Sequence, residues 1–136
     1  MRAVGLDIGE KYIGVAVSDP LGVIARPYRT IVRTSLAKDL ELLRAVIAER
    51  DAEVLVVGLP RNMNGTAGPQ ALKVARLIES LKKLRLPIHK VDERLSSREA
   101  EQRMIEAGLE QRERSRRRDE FAAAVILQRY FEEGSI

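Results

Sequence analysis

The chain has 136 residues, no cysteine, and 24 Lys and Arg against 20 Asp and Glu, a formal net charge of +4 with a sequence pI of about 9.7. That length suits a single domain over 1–136 with its own core, and the missing cysteines exclude a disulfide framework, a thiolate metal site and a thiol nucleophile. No apolar run approaches the ~20 residues that span a bilayer, and the N-terminus enters a strand pattern at once, so the expectation is a soluble, cytoplasmic protein with no membrane partner.

The opening stretch organises the rest. Ala3-Val4-Gly5-Leu6-Asp7-Ile8-Gly9 and Ile13-Gly14-Val15-Ala16-Val17-Ser18-Asp19 are two apolar runs around a Gly-containing, charged turn. They read as a β-hairpin whose first strand delivers Asp7 near its end. Asp7 has two readings here: a turn-forming carboxylate bonded to its own backbone, or a metal-binding carboxylate on a rigid strand. Val23 to Val32 reads as a third strand, with Pro27 arguing for an edge or irregular position. Ser35 caps an expected helix in which Leu36, Leu40, Leu43 and Ile47 recur at helical spacing.

Val54-Leu55-Val56-Val57-Gly58-Leu59-Pro60 reads as a strand buried on both faces, in the middle of a covered sheet. The following residues, 61–69, are loop by composition, either a substrate contact beyond a strand end or a plain connector. Leu72, Ala75, Ile78 and Leu81 predict a second amphipathic helix ending before Leu86-Pro87. Ile88-His89-Lys90-Val91 then forms a short strand running into Asp92-Glu93-Arg94-Leu95-Ser96-Ser97. His89, mid-strand and without Cys or His partners, reads as structural.

Strand side chains alternate between faces, so only one of Asp92 and Glu93 can share a cleft with Asp7. Ser96 and Glu99 form a capping box that starts a helix carrying Ala100, Met104 and Ala107 and ending near Gly108. A charged, mobile loop is expected from Leu109 to Arg118. The last helix is expected from about Arg117 to Glu133, with Ala122, Val125, Ile126 and Tyr130 buried and Gly134 just beyond its end. Asp119 would then lie in the first turn, where the helix dipole favours an acid. The same dipole disfavours Arg116, Arg117 and Arg118, and phosphate is the simplest reason for their presence. With aromatics at 4% and no Trp, base stacking is not expected to dominate binding.

These elements predict an α/β fold: three antiparallel strands, then parallel ones crossed over by helices, in a mixed five-stranded sheet with helices on both faces. Asp7 and the Asp92-Glu93 pair would lie at strand ends and Asp119 on a helix packed across the sheet. Such an all-oxygen set suits Mg²⁺ or Mn²⁺, and two such ions about 4 Å apart can drive phosphodiester cleavage.

Val4 to Gly9, Ile13 to Asp19, Val56-Val57-Gly58-Leu59-Pro60, Asn62-Met63-Asn64-Gly65-Thr66, Asp92 to Ser97, and Asp119 with Ala122 to Leu127 together resemble the YqgF family, also called RuvX. Its names are pre-16S ribosomal RNA nuclease and Holliday junction resolvase. The resemblance spans nearly the whole chain. It implies a ribonuclease H-like fold and a hydrolase, a metal-dependent endonuclease whose catalytic and metal-binding residues map onto Asp7, Glu93 and Asp119. Lys11, Arg94, Arg116, Arg117 and Arg118 become candidate nucleic-acid contacts. The implied substrate is the 5′ end of pre-16S rRNA, with branched DNA as the alternative. Ribosomal particles are a further partner, and the state is a monomer or homodimer. Two departures stand out. The strand ending in Gly58-Leu59-Pro60 carries no carboxylate, so Glu93 must replace one found in other nucleases of the superfamily. Arg116-Arg117-Arg118 stands where the family usually has lysine and glycine. A non-catalytic nucleic-acid-binding module remains a rival. An actin-like phosphotransferase does not, because two such domains are needed to enclose ATP.

Overall fold

The computed structural model describes residues 1–59, 69–92 and 96–134. Strands β1 (Ala3–Ile8), β2 (Tyr12–Ser18) and β3 (Ala25–Val32) form the antiparallel part of the sheet. Strands β4 (Val54–Leu59) and β5 (Ile88–Asp92) pair in parallel on the other side of β1, giving the order β3-β2-β1-β4-β5. The expected mixed five-stranded sheet is therefore present, with β1 at its centre. The edge position inferred from Pro27 also holds. Proline has no N–H for a ladder, and the β2–β3 register shifts where Ala16 comes opposite Pro27.

Alternation sorts the side chains between two cores. Val4, Leu6, Ile8, Ile13, Val15 and Val17 face one side, where they pack with Leu40, Leu43 and Val46 of α1 (Leu36–Arg50) and Leu77 of α2 (Pro69–Ser80). Ala3, Ala16, Val56 and Val91 face the other side, against Ala123, Ala124, Ile126 and Leu127 of α4 (Gln111–Glu133). Small residues line this second face, so α4 approaches closely. A Cβ on Gly5 would stand 2.8 Å from Leu127 Cβ. Helix α3 (Ser96–Glu106) packs on the outer side of α4 through Ala100, Ala122 and Val125. Sandwiched this way, α4 buries all six residues from Ala122 to Leu127 rather than one stripe.

Local chemistry sets the ends. Ser35 caps α1 as expected, its hydroxyl accepting from Lys38 N at 3.2 Å. The buried stripe of α2 is offset from the predicted one. Val74, Leu77 and Ile78 pack inward and lead to Leu81 in a short 3-10 helix (Leu81–Leu84), whereas Leu72 and Ala75 are exposed. Gly108 ends α3 at φ +80°, with Gly108 N bonded to Ile105 O and Leu109 N to Met104 O, the paired bonds of a Schellman turn. Ala100 and Met104 are buried there, but Ala107 is exposed.

The expected mobile loop from Leu109 to Arg118 is helix instead, since α4 begins at Gln111. Its Arg, Glu and Gln residues are good helix formers. They also find partners: Arg114 Nε bonds Glu101 of α3 at 3.1 Å and Arg117 Nε bonds Glu120 at 2.5 Å. Charge density had suggested a solvated segment, but here it pins the first two turns of a helix.

Residues Arg33 and Asp39 form a buried pair that ties the sheet end to α1. Arg33 Nε meets Asp39 Oδ2 at 3.1 Å, Thr34 N donates to Asp39 Oδ1, and Arg33 Nη1 donates to Gly9 O at 2.9 Å. Removing one partner strands the other charge, so Asp39→Ala should lose roughly 3–5 kcal/mol of stability in urea unfolding. The double variant Arg33→Met/Asp39→Leu should lose less.

Candidate active site

Asp7 sits one residue before the end of β1. It shares the α4-facing side with Ala3 and Gly5 and lies directly opposite Gly14 of β2. Gly14 in turn receives α4: a Cβ there would fall 1.9 Å from the carbonyl oxygen of Asp119 and 2.9 Å from Glu120 N. Only a residue without a side chain allows that contact. The helix backbone at Asp119 is thus set against β2 at the residue that pairs with Asp7.

Asp119 is in the third turn of α4 rather than the first, eight residues after Gln111. The helix dipole therefore accounts for neither Asp119 nor the arginines before it. Burial pushes the Asp119 carboxyl above the usual carboxylate range; Arg118 opposes this and Glu120 adds to it. Glu120 is 7% exposed and anchored by Arg117 and by Thr30 Oγ1 of β3 at 3.4 Å, so the turn bearing Asp119 is held at three points.

Asp92 closes β5 beside Leu59 of β4. By alternation it shares the face of Ile88, opposite to His89 and Val91, and therefore opposite to Asp7. Its carbonyl accepts from Arg129 Nη1 at 3.0 Å. Glu93 and Arg94, and the 61–69 loop apart from its last residue, lie outside the described residues. Among the described residues, no three His, Asp or Glu side chains gather closely enough to hold a metal ion. His89 is structural as expected, its ring stacked on Tyr130 with centroids 5.1 Å apart.

The cations separate into two groups. Arg117 lies against Glu120 and Glu113 and over the Phe121 ring, and Arg118 comes within 3.9 Å of Glu101. Arg116 and Lys11 are exposed and carry no ion pair among the described residues. A turn-forming carboxylate is present at Asp19, between β2 and β3, where it accepts from Val23 N at 2.8 Å and Ile24 N at 3.0 Å. Those backbone donors, Ile24 first, hold its pKa below the usual range.

A family model described as "RuvX: Holliday junction resolvase" matches residues 1–133. The chain belongs to the RuvX family. A relative from Desulforamulus reducens, named "Putative pre-16S rRNA nuclease", is 47% identical over 99% of both chains. Another of that name, from Syntrophomonas wolfei, is 44% identical over 100% of this chain and 97% of its own. Among solved structures, a Thermus thermophilus RuvC in complex with a Holliday junction substrate superposes with a TM-score of 0.65 at 17% identity, covering 99% of this chain and 98% of that one. The RuvX chain accordingly has the ribonuclease H-like fold expected from its motifs. The RuvX match and the RuvC likeness both span nearly the whole chain, so the central strand bearing Asp7 is part of the shared architecture.

The sign of the Asp119 shift gives a test. Its folded pKa lies above the unfolded value near 3.8, so the folded state binds the proton more tightly. Stability of the metal-free protein then falls as pH rises from about 3.8 through the raised pKa. Asp119→Asn removes that penalty. Thermal unfolding in chelator should show the variant with a higher midpoint than wild type at pH 7, and the gap should close below about pH 3.8.

Proposed function

We propose that the chain is a metal-dependent nuclease that hydrolyses phosphodiester bonds in structured nucleic acid, with the 5′ end of precursor 16S rRNA as its substrate. The observation that carries this is the Gly14 contact, which sets Asp119 against the strand end bearing Asp7. Carboxylates repel phosphates unless a cation intervenes, and here burial already disfavours the Asp119 charge. An all-oxygen donor set in that position fits a hard divalent cation, Mg²⁺ or Mn²⁺. Asp7 and Asp119 would hold it, with Glu93 as the proposed third ligand, because Asp92 belongs to the other face. A two-ion arrangement is the form we favour. When bound, the metal supplies an activated water and charge stabilisation for the leaving oxygen.

The chain's own contribution is orientation. A central strand carries Asp7, while the Gly14 contact and the Glu120 anchors hold the helix turn that bears Asp119, so the backbone that presents them would need little rearrangement when substrate arrives. Lys11, Arg94 and Arg116 are proposed to meet phosphates. Arg117 and Arg118 are proposed to do so only secondarily, since each already has a carboxylate partner.

The family's description supports a second reading, resolution of Holliday junctions. That reaction calls for a symmetric dimer placing two cuts. Cleavage assays on precursor rRNA and on a four-way DNA junction, each with Mg²⁺ and with chelator, separate the readings. Asp7→Asn, Glu93→Gln and Asp119→Asn should each lower cleavage by more than the roughly 10–100-fold lost with a residue that merely orients a metal ligand. Asp92→Asn should retain activity. Cleavage by Asp7→Asn, or by wild type in excess chelator, would end this assignment.

A further inference from the structure

The net charge of +4 is not spread evenly along the chain. Residues 69–90 hold six cations and one acid, whereas the rest of the chain holds 18 against 19. The whole excess therefore belongs to α2, the short 3-10 helix and the start of β5. Folding leaves it on the surface. Val74, Leu77, Ile78 and Leu81 pack into the core on the α1 side of the sheet, while Lys73, Arg76, Lys82, Lys83, Arg85 and Lys90 are all exposed. Lys90 pairs with Val57, so it stands on this same side of the sheet, and with Lys82 it lines a hollow of about 450 Å³. From Lys73 to Lys83 the helical path is about 15 Å long.

Few acids answer these charges. Glu79, the segment's own acid, meets Lys82 at 2.8 Å, and Lys73 meets Glu10 at 3.6 Å. Lys82 first, then Lys90, hold the Glu79 carboxyl below the usual carboxylate range, so one acid serves two lysines. Arg76, Lys83, Arg85 and Lys90 carry no ion pair among the described residues. The arginines of α4 differ, since Arg114, Arg117 and Arg118 each have a carboxylate partner. Like charges gathered on one surface repel, and a polyanion laid across them offsets that cost. Leu72 is the one large apolar side chain exposed in this segment among the described residues, which leaves no apolar band to sink into a lipid surface. The segment has no Phe, Tyr or Trp to stack on a base, so its contacts fall to phosphates, which a duplex presents as readily as a single strand.

We propose that this surface, on the face of the sheet opposite Asp7, is a second nucleic-acid contact, gripping backbone phosphates of duplex RNA away from the cut. The proposal rests on the nuclease reading for its ligand class. It adds a binding surface apart from the acids, one that recognises charge and not base sequence.

The test is fluorescence anisotropy of a labelled RNA duplex in chelator, where cleavage cannot interfere, across a series of salt concentrations. Lys82→Gln, Lys83→Gln, Arg85→Gln and Lys90→Gln together should weaken binding at least about tenfold at low salt. The same variant should flatten the slope of log K against log salt by roughly 0.7–0.9 for each phosphate no longer neutralised. A matched variant, Arg26→Gln, Arg29→Gln, Lys38→Gln and Arg44→Gln, removes the same charge from exposed positions on β3 and α1 and should keep the wild-type slope. An unchanged slope in the first variant, or equal flattening in both, overturns the proposal. So does wild-type binding to vesicles of anionic lipid in place of RNA. A second readout needs no variant. In the wild type, bound RNA duplex should protect Lys82, Lys83 and Lys90 from acetylation by an amine-reactive reagent and leave Lys38 reactive. Equal reactivity of those three lysines with and without RNA overturns the proposal as well. Neither measurement involves metal or cleavage, so a failed nuclease assay and a failed binding assay point to different errors.

Discussion

The close approach of α4 to the β1–β2 hairpin is the constraint on which the rest depends. With 1.9 Å between a notional Cβ on Gly14 and the Asp119 carbonyl oxygen, any side chain at that position would force helix and strand apart. Gly5 does the same one helical turn further along, opposite Ala123 and Leu127. Ala123 and Ala124 complete the match, because small residues on the helix meet small residues on the sheet. Tight packing of α4 is at once the second hydrophobic core and the device that delivers an acid to the sheet end.

Electrostatics around this contact run in two directions. Arg33–Asp39 and Arg117–Glu120 are pairs in which each charge has a partner, and they fasten β3 to α1 and the middle of α4 to its own preceding turn. Asp119 is different. It is half-buried, its charge is disfavoured by that burial, and a neighbouring glutamate increases the penalty. Asp39 and Glu120 have cationic partners while Asp119 keeps a charge that burial disfavours, a perturbation of the kind found at functional sites. Cation binding would relieve the strain, which links the metal to both the reaction and the stability of the folded state.

The sheet was legible because its signals are local. Asp7 could be placed at a strand end from alternation alone, Pro27 at an edge from its missing N–H, and Ser35 at a helix start from its hydroxyl. Parallel β4 announced itself through four consecutive buried apolar residues. What escaped was decided by partners distant in sequence. Leu109 to Arg118 looked like loop because it is densely charged and follows a helix-ending glycine, whereas Glu101, on another helix, supplies the charge for Arg114 and Arg118. Asp119 fell in a first turn because the helix was started only at about Arg117. The stripe on α2 was right at Ile78 and Leu81 but not at Leu72 and Ala75, since Leu72 and Leu77 are equally apolar and only the position of the sheet chooses between them. Asp39 gave one available signal, an acid four residues after a capping serine and six after an arginine, which is the spacing a strand-to-helix corner needs for an ion pair.

Of the candidate site, Asp7, Glu93 and Asp119 were named from the resemblance, and Gly14 carries the geometric reason that the Asp119 backbone lies against the strand paired with Asp7. That reason could not be derived from sequence, since a glycine in a strand is equally consistent with a bulge or a bend. The most direct test of the account is anomalous diffraction from crystals soaked in Mn²⁺. The account predicts an anomalous peak liganded by carboxylate oxygens of both Asp7 and Asp119. A saturating soak in which manganese binds elsewhere, or binds Asp92 on the opposite face of the sheet, would contradict it.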